Sequence, residues 1–160
     1  MRYSVLLVED DDEMRTLYGF ILANAGFQVK AVRNGFDALT ELQWRRPDVI
    51  VTDLSMPVVD GITLIEIIKS RAEFAGIPVI AITSYGRALQ RLATSAGADL
   101  AVSKPSEFRS ICDLVTSVLP QRQGNGLIDG SGVVENLTLN GATPTTESQA
   151  PELVTLEPEQ

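Results

Sequence analysis

An alternation restricts this chain more than any other feature. Short apolar runs at residues 3–8, 28–32, 48–52, 78–83 and 100–103 are each followed by a segment with helical spacing, at 12–25, 35–45, 61–72, 86–96 and 106–119. Runs such as "SVLLV" and "VIAIT" are apolar at consecutive positions, which is the pattern of strands buried on both faces. Strands interleaved with helices in this way indicate an α/β domain whose parallel sheet is covered on both sides. The first, third and fourth runs are the most apolar and are expected at the centre. Gly26 and Gly97 fit helix ends that need positive φ, and Pro47 and Pro78 stand just before apolar runs.

At 160 residues the chain is long enough for one domain and an appendage, not for two domains of ordinary size. The domain is expected to span residues 1–119. Residues 121–160 are rich in Gly, Asn, Thr, Pro and Glu and carry one base, Arg122, against six acids, a net of 1 − 6 = −5. The expectation for 120–160 is a disordered acidic tail, because so few large apolar groups do not offset the entropy of ordering it. A hairpin or an added edge strand from "GLIDGSGVVENLTLNG" is the alternative.

The net charge of −8 argues against nucleic acid or an anionic membrane as partner. No histidine and a single cysteine, Cys112, exclude an internal disulfide and the usual zinc sets. The N-terminus does not read as a secretory leader, and no apolar stretch reaches the roughly 20 residues of a membrane span. These features suit a cytoplasmic protein.

Ligands of open parallel sheets gather beyond the carboxyl ends of the strands. There the first run ends in Glu9 and Asp10, the third in Asp53, the fourth in Thr83 and Ser84, and the fifth in Lys104. Clustered carboxylates suit a hard divalent cation such as Mg²⁺, which keeps waters free for a phosphate. The same cation keeps Asp53 ionised and available as a nucleophile toward phosphorus. Lys104 is placed to neutralise phosphoryl oxygens, and the Thr83 hydroxyl to donate to another. No GxGxxG or GxxxxGK[ST] loop points to a dinucleotide or nucleoside triphosphate.

Across residues 1–119 the chain resembles the receiver domain of bacterial two-component response regulators, through "VEDD", "DLSMPVVDG", "ITS" and "SKP" after successive strands. The resemblance implies a doubly wound, flavodoxin-like fold of five strands in the order 2-1-3-4-5 with five helices. It implies phosphorylation of Asp53 by a histidine kinase or a histidine phosphotransfer protein. Glu9 and Asp10 match the metal-binding acids, with the Ser55 backbone carbonyl as a further Mg²⁺ ligand. Thr83 matches the switch hydroxyl and Lys104 the phosphate-pairing lysine. Met56-Pro57 and Asp60-Gly61 shape the loop after Asp53, and the Lys104-Pro105 bond is expected to be cis.

Plainer roles suit other residues. Asp11, Asp12 and Glu13 read as a helix N-cap and first-turn acids facing the helix dipole. Cys112 falls on the apolar stripe of the last helix as a packed thiol, and Trp44 reads as a packing or surface aromatic.

Three departures from the family concern output. Ala101 stands where receivers usually carry the aromatic partner of the switch hydroxyl, and Ser106 where an aromatic often follows Lys-Pro. The span from Thr83 to Gly97 is about one residue short. Tyr85, two residues beyond Thr83, is the candidate replacement aromatic. With Ser55 it occupies the positions held in this family to govern water attack on the phosphoaspartate, so slow dephosphorylation is expected.

The resemblance implies a stand-alone phosphoacceptor rather than a conventional enzyme, with at most self-phosphorylation and slow self-dephosphorylation. Signalling would run through the face formed by the fourth helix, fifth strand and fifth helix, to which Arg87 and Arg91 contribute. The alternative is a constitutive receiver-like interaction module with little or no phosphorylation switching. A phosphoaspartate phosphatase of similar sheet would want an acid where Ser55 stands.

Overall fold

The computed structural model describes residues 2–104 and 108–120. The expected cis bond at Pro105, Ser106 and the tail beyond Pro120 lie outside the described residues. Strands β1 (Ser4–Val8), β2 (Gln28–Val32), β3 (Val49–Asp53), β4 (Val79–Thr83) and β5 (Leu100–Ser103) form one parallel sheet in the order β2-β1-β3-β4-β5. Helices α1 (Asp12–Asn24), α2 (Gly35–Leu42), α3 (Gly61–Ser70), α4 (Arg87–Ala96) and α5 (Phe108–Val118) alternate with them. As expected, the three most apolar runs occupy the centre.

Alternation along each central strand divides the core in two. Leu6, Val8, Ile50, Val79 and Ala81 point to one face, where they pack with Ala38 and Leu42 of α2, Leu64, Ile65 and Ile68 of α3 and Ala93 of α4. Val5, Leu7, Val49, Val51, Ile80 and Ile82 point to the other, against Tyr18 and Leu22 of α1 and Ile111 and Val115 of α5. Cys112 lies half-buried beside this second layer, and Trp44 is exposed at the surface.

Caps set most helix bounds. Asp11 accepts from the Met14 N–H at 2.8 Å, with Asp12 and Glu13 in the first turn. Gly26 and Gly97 have φ of 96° and 108°, which close α1 and α4. α2 stops at Leu42, short of the expected 45, where the chain tightens: the N–H groups of Gln43 and Trp44 bond three residues back, to the carbonyls of Thr40 and Glu41. α3 stops at Ser70 rather than 72, where Arg71 turns extended at φ −98° and ψ 118°. No helix among the described residues is long and apolar enough to cross a membrane.

Candidate functional site

Strand ends deliver the acids. Asp53 is the last residue of β3, and Glu9 and Asp10 follow β1 directly. Because side chains alternate, Glu9 and Asp53 project to the face of Leu7 and Val51, the α1/α5 side. Oxygens of Glu9, Asp10 and Asp53 all lie within 4.8 Å of one another. Glu9 is 0 % and Asp53 6 % exposed, while Asp10 faces solvent. Arg15, one turn into α1, donates to the carbonyls of Glu9 at 3.0 Å and Asp10 at 3.3 Å and so fixes the backbone that carries both acids.

Lys104, just beyond β5, enters this cluster with its Nζ 2.9 Å from Glu9 Oε1 and 3.0 Å from Asp53 Oδ2. Asp53 Oδ1 accepts from the N–H groups of Leu54 at 2.6 Å and Ser55 at 3.4 Å. One carboxylate oxygen is thereby pinned to the turn, and the other faces the ammonium. Burial raises the pKa of Glu9 above its ordinary value; the Lys104 hydrogen bond opposes this and the Asp53 charge adds to it. Burial pulls Lys104 down, yet its hydrogen bonds with Glu9 and Asp53 outweigh that and leave its pKa raised.

The loop after Asp53 is closed by Gly61. The Gly61 N–H donates to the Leu54 carbonyl at 3.0 Å, and a Cβ there would come within 2.2 Å of the Asp53 carbonyl oxygen. Only glycine permits that approach. Asp60 caps α3, accepting from the Thr63 N–H at 2.9 Å. Within this loop, before Asp60, Val58 adopts φ 71°, a left-handed conformation costly for a β-branched residue, and is 80 % exposed.

Thr83 ends β4 one register step beyond Ile82, the partner of Asp53, and is fully buried. By alternation it points to the face of Ala81, opposite to Asp53. Its hydroxyl accepts from the Tyr85 N–H at 3.0 Å, and its carbonyl from the Lys104 N–H at 2.8 Å. The Tyr85 ring is 62 % exposed. Ala101 is half-buried, and with Arg87, Gln90, Arg91 and Thr94 it lines a shallow groove between α4 and β5.

Of the residues singled out in the sequence, Glu9, Asp10, Asp53 and Lys104 thus meet directly, Ser55 reaches Asp53 through its amide, and Thr83 stands beside them with its hydroxyl engaged elsewhere. Tyr18, in the helical segment after the first strand, carries no sequence signal of a role at the site. It lies in the core layer below the acids, 1 % exposed, and its hydroxyl has no hydrogen-bond partner among the described residues.

A divalent cation fits this donor set. Glu9 Oε2 is buried without a partner among the described residues, and an acceptor with no donor is what a cation satisfies. The ligands are hard oxygens, which suit Mg²⁺.

A family model described as "Response regulator receiver domain" matches residues 5–116. The chain belongs to the response regulator receiver family. Receivers accept phosphoryl groups in two-component signalling, bind Mg²⁺ at an acidic pocket, and interact with histidine kinases and phosphotransfer proteins; they are not conventional enzymes. This receiver is 29 % identical over 120 residues to the polar-differentiation response regulator DivK of Brucella anthropi, covering 74 % of this chain and 98 % of that one. It is 33 % identical over 116 residues to the phosphate regulon transcriptional regulatory protein PhoB of Rhizobium meliloti, covering 72 % of this chain and 51 % of that one. The chain therefore spans about half of PhoB's length.

Among solved structures, the receiver domain of a signal transduction histidine kinase from Syntrophus aciditrophicus is similar at a TM-score of 0.69 and 30 % identity, covering 77 % of this chain and 96 % of that one. The chemotaxis response regulator CheY4 of Vibrio cholerae shares the fold at a TM-score of 0.68 and 24 % identity, covering 74 % of this chain and all of that one (100 %).

Proposed function

We propose that this receiver takes a phosphoryl group on Asp53 from a histidine kinase or histidine phosphotransfer protein and acts as a single-domain, cytoplasmic response regulator. The observation that carries the reading is Lys104, held between Glu9 and Asp53 at 2.9 and 3.0 Å beside a third carboxylate. An Asp53 oxygen attacks phosphorus, the P–N bond to the donor imidazole breaks as the P–O bond forms, and the imidazole leaves. Glu9, Asp10, Asp53 and the Ser55 carbonyl would hold Mg²⁺, which when bound would neutralise charge gathered on the phosphoryl oxygens. Lys104 pairs with one of those oxygens and Thr83 donates to another.

Thr83 also supports a route outward. Its hydroxyl holds the Tyr85 N–H at the entry to α4, so turning that hydroxyl toward a phosphoryl group releases the backbone there. Output runs to a protein partner through α4, β5 and α5, where Ala101 leaves a groove instead of an aromatic. Ser55 and Tyr85 favour a phosphoaspartate that persists beyond seconds.

The test adds a small phosphodonor or beryllofluoride with Mg²⁺ and compares NMR shifts of the wild type with those of Asp53→Ala. Shifts that reach residues 86–104 and vanish in Asp53→Ala are expected. Shifts confined to the strand ends identify a constitutive module, and no uptake by the folded wild type overturns the reading.

A further inference from the structure

Tyr18 is buried at 1 % exposure, yet its hydroxyl has no partner among the described residues. A buried hydroxyl left unpaired costs about 1–3 kcal/mol, and phenylalanine would fill the same space without that cost. Helical side chains lean toward the helix N-terminus. The ring of Tyr18, on the sheet-facing side of α1, is thereby carried back toward Glu9 and Asp10, from which the helix starts. It packs in the layer of Leu7 and Val51, the residues two before Glu9 and Asp53 on their strands and on the same face. The charges of Lys104, Glu9 and Asp53 all bear on its phenol, whose pKa burial raises, so it stays a protonated donor.

The second orphan of this region is complementary to the first. Among the described residues, Glu9 Oε2 is a buried acceptor without a donor, and the Tyr18 hydroxyl is a buried donor without an acceptor. At present Lys104 occupies the other Glu9 oxygen at 2.9 Å. If Lys104 turns to a phosphoryl group on Asp53, Glu9 loses the one side-chain cation it meets among the described residues, and Oε1 is freed.

We propose that Tyr18 is a positioning residue of the phosphoryl site, whose hydroxyl donates to the Glu9 carboxylate when Lys104 leaves it for phosphorylated Asp53. Glu9 has two oxygens, so this bond leaves one for a cation. The aromatic that registers phosphorylation then sits on α1, on the opposite side of the sheet from Ala101. The inference rests on Asp53 being the phosphoacceptor.

The experiment labels the three tyrosines with ¹³C at Cζ and assigns the Tyr18 resonance by its loss in Tyr18→Phe. Beryllofluoride with Mg²⁺ is then titrated into wild type, Asp53→Asn and Tyr18→Phe. The Tyr18 resonance moves on loading in the wild type and stays in Asp53→Asn. Tyr18→Phe needs about tenfold more beryllofluoride for half-saturation, as expected for a lost hydrogen bond to a charged group. Without ligand, Tyr18→Phe unfolds at the same or a higher temperature, whereas a residue serving only the fold would lower it. A wild type that loads while its Tyr18 resonance stays still, or a Tyr18→Phe protein that loads as wild type does, overturns the inference alone. A folded wild type that takes no beryllofluoride overturns the phosphoacceptor reading and this inference with it.

Discussion

Lys104 and Glu9, 95 residues apart in sequence, meet at 2.9 Å through a carboxylate with no solvent exposure. The pair joins the end of the first strand to the end of the last and holds a buried charge that would otherwise stand alone. Lys104→Met leaves Glu9 Oε1 and Asp53 Oδ2 without their cation, and should lower stability by about 2 kcal/mol in magnesium-free urea unfolding. Because Lys104 has a raised pKa, its contribution is fully present below 10.5 and is lost as pH climbs through the folded-state value. The wild-type advantage should therefore persist at neutral pH and fade in alkali. Added Mg²⁺ should restore more stability to Lys104→Met than to wild type.

Glu9 works in the opposite direction. Burial raises its folded pKa above 4.5, so the protonated form is the one the fold prefers. That contribution is complete below 4.5 and is lost as pH rises through the raised value. At neutral pH the ionised carboxylate is a cost that a cation offsets. Glu9→Gln keeps an oxygen for Lys104 and removes the charge. In magnesium-free buffer it should unfold at higher urea than wild type at pH 7, with the difference vanishing near pH 4, and it should lose the stabilisation that Mg²⁺ gives the wild type.

These two residues also mark how far the sequence could be read. Apolar runs at Val5–Val8, Val49–Val51 and Val79–Ile82 announced central strands, because residues buried on both faces must be apolar without alternation. Once the strands were placed, their ends carried Glu9, Asp10, Asp53, Thr83 and Lys104 to one edge by topology alone. Pairing is another matter. That Lys104 bridges Glu9 and Asp53 depends on distances between segments that no local pattern encodes, whereas the hold of Thr83 on the Tyr85 amide spans two residues and is a local turn. Tyr18 was hidden for a related reason: at a core position of α1 its ring satisfies the helical periodicity, and the pattern is silent about the hydroxyl. The end of α2 at Leu42 is not legible because Gln43 to Arg45 continue the helical spacing, while the backbone tightens to three-residue bonds at Gln43 and Trp44.

Gly61 is the narrowest point of the site. A methyl group there would lie 2.2 Å from the Asp53 carbonyl oxygen and 2.7 Å from Leu54 Cα, both backbone atoms that cannot swing aside. Gly61→Ala should push the Asp53 turn away from α3, lowering stability by about 3 kcal/mol. It should also slow phosphoryl uptake, since the Leu54 N–H that pins Asp53 moves with that turn. Thermal unfolding and labelling by a small phosphodonor check the two effects separately.

Val58, in the same loop, is strained rather than crowded. At φ 71° it occupies a region that costs an L-residue about 1–2 kcal/mol, and at 80 % exposure it recovers little by packing. Glycine adopts that conformation freely, though it loses more entropy on folding, by about 0.5–1 kcal/mol. The balance favours Val58→Gly by roughly 0.5–1 kcal/mol, which for a domain of this size raises the melting temperature by about 3 °C. Phosphoryl uptake on Asp53 should be unchanged, because no Val58 atom enters the site. A melting temperature equal to or below that of wild type would show that contacts of Val58 outweigh its backbone strain. If stability rises while uptake slows, the strain itself helps hold the loop in its reactive shape.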